Sequence, residues 1–290
     1  MISAKQTKSV HSLKSWLFTP GTKADRFEKA ADVHADVLII DLEDAVAPSA
    51  KEEARGSALH YLEGLSSNRL SCALRINAPV TRVGQDDLQA LLRSSAQPDY
   101  IILPKTESAG VIGLVSTLLR EAGKSTEVIA LIETAKAVAA LGEITGADIK
   151  PAALLFGAAD MSADLGAETA WEPLLMIRSR IVQTAATAGI AVLDSPYFDI
   201  ANAEGLRRET VASANLGFHA KCAIHPAQIA VINEVLTPTA DEVAKARQIL
   251  VINRQGVGSV GHQMVDEAVA RTARLVLERA GIAAEELVAS

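Results

Sequence analysis

Eight short runs of aliphatic and β-branched residues alternate with longer helical stretches from one end of the chain to the other. This alternation limits the possible folds more than any other feature. It marks parallel βαβ construction, because parallel strands need a crossover helix between them. The runs are Ser15–Thr19, Val37–Leu42, Cys72–Ile76, Tyr100–Leu103, Val128–Ile132, Ala153–Phe156, Ala191–Leu193 and Ala220–Ile224. Several are apolar throughout, as expected of strands covered on both faces. Between them apolar residues recur with helical spacing, as in the stripe Leu174, Ile177, Ile181, Ala185 and Ala188, preceded by Pro173, which is expected at the first helical position. Gly123, Gly189 and Gly217 each stand where a helix should stop.

Eight such units fit a closed (β/α)8 TIM barrel over residues 1–236. The alternative is an open doubly wound sheet, which would carry a glycine-rich phosphate loop after its first strand. Pro20-Gly21-Thr22-Lys23 lacks that spacing. Residues 237–290 read as a C-terminal helical extension. It has a helix over Ala240–Asn253, a flexible turn region around Gly256, Gly258 and Gly261, and a last helix over Glu267–Ala280. The extension is too short for a separate domain and reads as a lid, or as an arm reaching a neighbouring subunit.

With 49% apolar and 22% charged residues, the chain can bury a large core. A net charge of −7 argues against nucleic acid as a partner, since phosphate backbones are bound through basic surface. No apolar run reaches membrane-spanning length, and Met1–Ser15 has no apolar signal core. Cys72 and Cys222 lie in apolar runs and read as buried reduced thiols, so the cytoplasm is the expected compartment.

Barrel enzymes place their chemistry at the carboxyl ends of the strands. Here those ends carry Asp41, Glu43 and Asp44, then Arg75 and Asn77, Lys105, Glu133, Asp160, Asp194 and His225. Glu133 and Asp160 close consecutive strands and could converge. Two close carboxylates repel unless a proton or cation lies between them. Without a His/Cys cluster, oxygen-only ligation favours Mg²⁺ completed by water and substrate oxygens. The alternative is a salt-bridge network with Arg75 or Lys105. Arg75 suits a bidentate clamp on a carboxylate or thioester oxygen.

At these residues the chain resembles the citrate lyase beta subunit and malyl-CoA lyase group (CoA-ester lyases) of the HpcH/HpaI aldolase superfamily. The segments that carry the resemblance are Leu17–Gly21 with Arg26-Phe27, Ile40–Val46, Arg75-Ile76-Asn77, Leu103-Pro104-Lys105 and Ile132-Glu133-Thr134. They continue with Gly157–Asp160, Gly217–Lys221, Ile224-His225-Pro226 and Gln263–Asp266. The resemblance implies a TIM barrel assembled as trimers or hexamers, Mg²⁺ held by Glu133 and Asp160, and substrate gripped by Arg75 with help from Glu133. Asp41, Glu43 and Lys105 are the further candidate substrate contacts. It also implies coenzyme A lying near Arg26, Ile224, His225 and Pro226, and an acid/base role for Asp266 supplied by a neighbouring protomer. The chain departs from the group's pattern at Ala159, where glutamate is usual, and at Ala220, where glycine is usual.

The expected reaction is cleavage or formation of a carbon–carbon bond between an acyl-CoA enolate and a 2-oxo acid, from a citryl-, malyl- or citramalyl-CoA type substrate. Asp266 would protonate the enolate carbon; its plainer reading is a helix N-terminal residue. Lys105 as an imine-forming lysine and His225 as a base are further possibilities. The competing functions are a metal-dependent aldolase on free 2-oxo acids, a catalytically altered CoA-binding paralogue, and a thioester hydrolase or malate-synthase-like enzyme.

Overall fold

The computed structural model describes residues 9–65, 70–254, 258–260 and 263–282. Eight parallel strands close a barrel in sequence order: β1 (Ser15–Pro20), β2 (Val37–Asp41), β3 (Ser71–Arg75), β4 (Tyr100–Leu103), β5 (Glu127–Ile132), β6 (Ala153–Phe156), β7 (Ala191–Asp194) and β8 (Ala220–Ala223). Closure is made by β1 against β8, with Ser15 opposite Lys221 and Leu17 opposite Ala223. The strands are apolar on both faces because alternate residues enter two cores. Trp16, Ile39, Ala73, Ile102, Leu131 and Leu155 fill the barrel interior. Leu17, Ile40, Leu74, Ile101 and Phe156 point outward to the helices. Leu13 plugs the lower end of the barrel, and its carbonyl accepts from Trp16 Nε1 at 3.1 Å.

The helices are α1 (Lys29–Asp32), α2 (Lys51–Glu63), α3 (Arg82–Arg93), α4 (Ala109–Glu121), α5 (Ala135–Ala139), α6 (Leu141–Gly146), α7 (Ala158–Leu165), α8 (Trp171–Ala188), α9 (Ala203–Leu216), α10 (Ala227–Leu236), α11 (Ala240–Arg254) and α12 (Glu267–Arg279). Gly189 and Gly217 end α8 and α9 in the left-handed conformation, at φ 71° and 118°, as their positions in the sequence suggested. Pro173 is the third residue of α8, because the helix starts earlier, at Trp171.

The buried stripe of α8 contains an arginine, Arg178, between Leu174 and Ile181. Its Nε donates to Asp194 at 3.0 Å, and its guanidinium is stacked between Phe156 and Trp171. Lys221 donates to Asp194 at 2.7 Å and to Glu209 at 2.8 Å. This corrects the expectation for Asp194. It extends β7 by one residue but faces the helix layer, so it braces α8 and α9 against the barrel. Burial opposes its charge, and Lys221 and Arg178 overcome that, holding its carboxyl below the usual range.

The turn region of the extension contains a short strand pair that its glycines did not suggest. Gly258–Val260 (β9) and Gln263–Val265 (β10) form an antiparallel pair, while residues 256 and 261 lie outside the described residues. With α11 and α12 the pair makes a small core around Ile249, Leu250, Val265 and Leu277. The far end of α12 is tied under the barrel, where Arg279 Nη2 donates to the Phe218 carbonyl at 3.4 Å.

Candidate active site

Asp41, the last residue of β2, organises one half of the rim. Its carboxylate accepts from the backbone of Glu43 and Ala45 at 2.9 and 3.1 Å, which curls the following loop. It also takes both Nε and Nη2 of Arg75 at 2.7 Å, a bidentate pair fixed by strand register, since β2 and β3 place Asp41 opposite Arg75. Nη1 of Arg75 faces Glu43 at 3.0 Å and Asp44 at 3.6 Å, and the guanidinium lies 5.0 Å from the Phe18 ring. Burial disfavours the Arg75 charge, but these carboxylates reverse that and bind its proton more firmly than usual.

The loop after β2 is braced from behind by the strand-end residue Asn77 and by Lys51 and Asp87, which strand-end counting did not single out. Asn77 Nδ2 donates to the Leu42 carbonyl at 2.9 Å, and Lys51 donates to the carbonyls of Leu42 and Glu43 at 2.8 and 2.6 Å. Asp87, buried on α3, accepts from Asn77 and from Arg55 Nε. A polar residue on an apolar helix face is the signal that could have revealed it.

Lys105 and Glu133 build the other half. Lys105 is one of two described non-glycine residues with positive φ, at 48°. That conformation aims its N–H at Glu133 Oε1, 2.8 Å away, while its ammonium pairs with Glu43 at 3.0 Å. The burial of Lys105 opposes its charge, but the bond to Glu43 outweighs this and keeps it protonated, so it is a poor imine nucleophile. Glu133 is 1% exposed. Burial, then the charges of Glu43 and Asp160, push its carboxyl up to about 8.

Gly157 follows β6 and presses on Glu133. A side chain there would put its Cβ 2.5 Å from Glu133 Cβ and 2.8 Å from Oε2, so the close approach requires glycine. The next residues start α7, whose N-terminus has no side-chain cap and whose first turn carries Asp160. Helix α7 therefore offers free N–H groups beside Glu133, a favourable seat for an anion.

These residues meet in a cleft of about 320 Å³, lined by Asp41, Asp44, Arg75, Glu133 and Asp160 and by an apolar set that includes Phe18, Leu131, Leu155, Phe198 and Ile224. Glu43 and Lys105 stand just behind it. Among the described residues no three His, Cys, Asp or Glu side chains are grouped as metal ligands, so a cation here would depend on Glu133 and Asp160. A second hollow, of about 360 Å³ between α11 and α12, has Glu242 and Lys245 as its charged lining and no converging polar groups.

The remaining sequence candidates lie apart from this centre. Arg26 is exposed on the turn after β1. His225 is exposed and Pro226 half-buried; His225 Nδ1 accepts from the Ala227 N–H at 3.2 Å, a local structural role. Gln228 sets this loop, taking the N–H groups of Ile224 and His225 on Oε1 and donating to the Tyr197 carbonyl. Asp266 is exposed and caps α12 through the Val269 N–H at 2.9 Å; it is not among the residues lining the cleft of its own chain. Both cysteines are buried and unpaired by disulfide. No helix among the described residues is long and apolar enough to cross a membrane.

The family model described as HpcH/HpaI aldolase/citrate lyase matches residues 14–226, from β1 to the loop after β8. The L-malyl-CoA/beta-methylmalyl-CoA lyase of Cereibacter sphaeroides is 34% identical, over 91% of this chain and 93% of its own. The crystal structure of RipC from Yersinia pestis is 44% identical, covering 80% of this chain and 99% of that one, with a TM-score of 0.71. The structure of CitE from Mycobacterium tuberculosis in complex with magnesium, acetoacetate and coenzyme A is 34% identical, covering 94% and 100%, with a TM-score of 0.78. With the closed barrel, the rim carboxylates and these matches in agreement, the chain belongs to the HpcH/HpaI aldolase/citrate lyase family.

Proposed function

We propose that the protein is a magnesium-dependent CoA-ester lyase that cleaves, or forms, the bond between an acyl-CoA carbon and a 2-oxo acid. One observation carries this reading. Glu133 is buried beside the charges of Glu43 and Asp160 and is held towards its neutral form, while the one cation lining the cleft, Arg75, is already bound by Asp41. Such unmatched negative charge suits a divalent cation, and an oxygen-only donor set completed by water and substrate suits Mg²⁺. Glu133 Oε2, beside Gly157, and Asp160 are the groups that would hold it. When bound, the ion supplies Lewis acidity at the carbinol or keto oxygen. The CitE relative binds magnesium and coenzyme A, which supports carrying both to this chain.

In the cleavage direction a 3-carboxy-3-hydroxyacyl-CoA gives its hydroxyl proton to solvent water and its C2–C3 bond breaks, the bonding pair passing to C2. The products are a 2-oxo acid and an acyl-CoA enolate, which takes up one proton at C2. The N–H groups of α7 receive the carboxylate of the oxo acid. Arg75, fixed in place by Asp41, stabilises the negative charge that develops on oxygen. Asp266 protonates C2 from a neighbouring protomer; its exposure, and its absence from the cleft of its own chain, support a supply in trans. On this reading residues 237–290 complete the next subunit's site in a trimer or hexamer. Coenzyme A lies over Arg26 and the Ile224–Pro226 loop. A reducing cytoplasm suits two buried cysteines that form no disulfide.

The test is turnover of acetyl-CoA with an oxo acid, with Mg²⁺ and with chelator. Mg²⁺-dependent exchange of the acetyl-CoA methyl protons and condensation are expected. Binding of CoA esters without turnover would favour the altered paralogue. Turnover of free hydroxy-oxo acids alone would favour the aldolase.

A further inference from the structure

Pro196 and Phe198, on the loop after β7, form a wall with open space on both sides. They line the cleft, and together with Tyr197 they also line a neighbouring hollow of about 260 Å³. Phe198 is 47% exposed, so the close packing that fixes interior side chains does not hold it. The wall is held by polar ties at Tyr197 instead. The Tyr197 hydroxyl accepts from Asn202 Nδ2 at 3.2 Å, and Gly205 on α9 leaves room for it, since a side chain there would overlap that hydroxyl. The Tyr197 carbonyl accepts from Gln228 Nε2 at 2.7 Å.

Gln228 lies in the first turn of α10 and is 2% exposed. Its Oε1 accepts the N–H groups of Ile224 and His225 at 2.9 and 3.2 Å, and Ile224 lines the cleft as well. One buried amide thus ties the loop after β7 to the loop after β8, donating to the first and accepting from the second. An ionised glutamate in its place would keep the acceptor and lose the donor. The cleft is graded from floor to mouth: Glu133 is 1% exposed, whereas Phe198 stands open to solvent. A metal and an oxo acid belong at such a floor, and the long thioester arm must cross the mouth. From the lyase reading above, on which this rests, we infer that Gln228 is a positioning residue for the acyl-CoA. It fixes the separation of Phe198 and Ile224, between which the thioester arm passes. It touches no reacting atom and acts through those two walls.

The experiment compares the wild type with Gln228→Glu, Phe198→Ala and the double variant at pH 8. Calorimetry uses acetyl-CoA, Mg²⁺ and pyruvate as probes, alongside kcat and KM for their condensation. Gln228→Glu should lower acetyl-CoA affinity and raise its KM about tenfold, the worth of one lost hydrogen bond. Its Mg²⁺ and pyruvate affinities should stay within about twofold, and kcat should change less than KM. The double variant should match Phe198→Ala alone, because the glutamate still serves Ile224 and His225 and the loss is carried by Phe198. Tyr197→Phe, a mild change that removes the hydroxyl tie of the same loop, should show the same selective loss and decides the matter if Gln228→Glu does not fold. Unchanged acetyl-CoA affinity in the folded variants, losses that multiply in the double variant, or an equal loss for Mg²⁺ would overturn the inference. Acetyl-CoA bound without turnover would defeat the lyase reading and leave the affinities to decide the wall. No binding of acetyl-CoA by the wild type would defeat both.

Discussion

Glu133→Gln should make the metal-free protein more stable and at the same time abolish its use of magnesium. Glu133 is held near pKa 8 by burial, Glu43 and Asp160, against an ordinary value of 4.5. Between those pH values the folded state carries about one more proton at this site than the unfolded state. Stability therefore falls as pH rises, by about 1.4 kcal/mol per pH unit, and the loss is complete above pH 8. Integrated over the window, with allowance for water reaching the cleft, the ionised site costs roughly 2–4 kcal/mol at pH 8. Glutamine keeps the acceptor for the Lys105 N–H and removes the titration. The assay is denaturant or thermal unfolding of both proteins from pH 5 to pH 8, with and without Mg²⁺. The difference should be small at pH 5. At pH 8 the variant should melt higher, by about 4–10 °C. Mg²⁺ at a hundredfold above its Kd should add about 2.7 kcal/mol to the wild type alone. A wild type equal to or more stable than the variant at pH 8, or a difference flat across the range, would refute the reasoning.

Gly157→Ala should lower Mg²⁺ affinity more than tenfold with the barrel intact, read by calorimetry and circular dichroism, because its Cβ would meet the Glu133 side chain. Lys221→Met should destabilise by about 3–5 kcal/mol in denaturant titrations with KM unchanged, since it leaves Asp194 and Glu209 short of a partner away from the substrate. His219, lowered to about 3 by burial and by His11 and Arg279, leaves the folded state with fewer protons than the unfolded state between that value and 6.5. Stability should accordingly fall as pH drops through this window, by about 2 kcal/mol at pH 5, and His219→Gln should flatten that limb of the curve. Asp266→Asn should reduce turnover about 10²–10⁴-fold, and mixing it with Glu133→Gln under subunit exchange should restore part of the activity if Asp266 acts in trans.

The barrel was legible in the sequence because parallel strands covered on both faces leave uninterrupted apolar runs, and each observed strand falls within a residue or so of its run. The rim charges were legible for a topological reason, since the residue after such a run must emerge at the carboxyl end. Asp41, Arg75 and Glu133 do emerge there, close enough for hydrogen bonds, ion pairs and mutual charge effects. What the sequence hid depends on direction. Asp194 also ends a strand, but the two-residue period turns it towards the helices, where Arg178 and Lys221 wait. Those partners are far apart in sequence, and an arginine within an apolar helical stripe reads as an interruption. The engagement of Arg75 by Asp41, which governs the charge balance of the cleft, needed the register of β2 against β3. The β9–β10 pair was obscured by its short strands and glycines, which match a loop as well as a hairpin.

The central claim is that Glu133 and Asp160 jointly hold one divalent cation. Its most direct measurement is calorimetric titration of Mg²⁺ into the wild type, Glu133→Gln and Asp160→Asn at pH 8. One site per chain is expected in the wild type, with both variants weakened at least about a hundredfold, as loss of a coordinating carboxylate requires. Unchanged binding in either variant, or none in the wild type, would contradict the account.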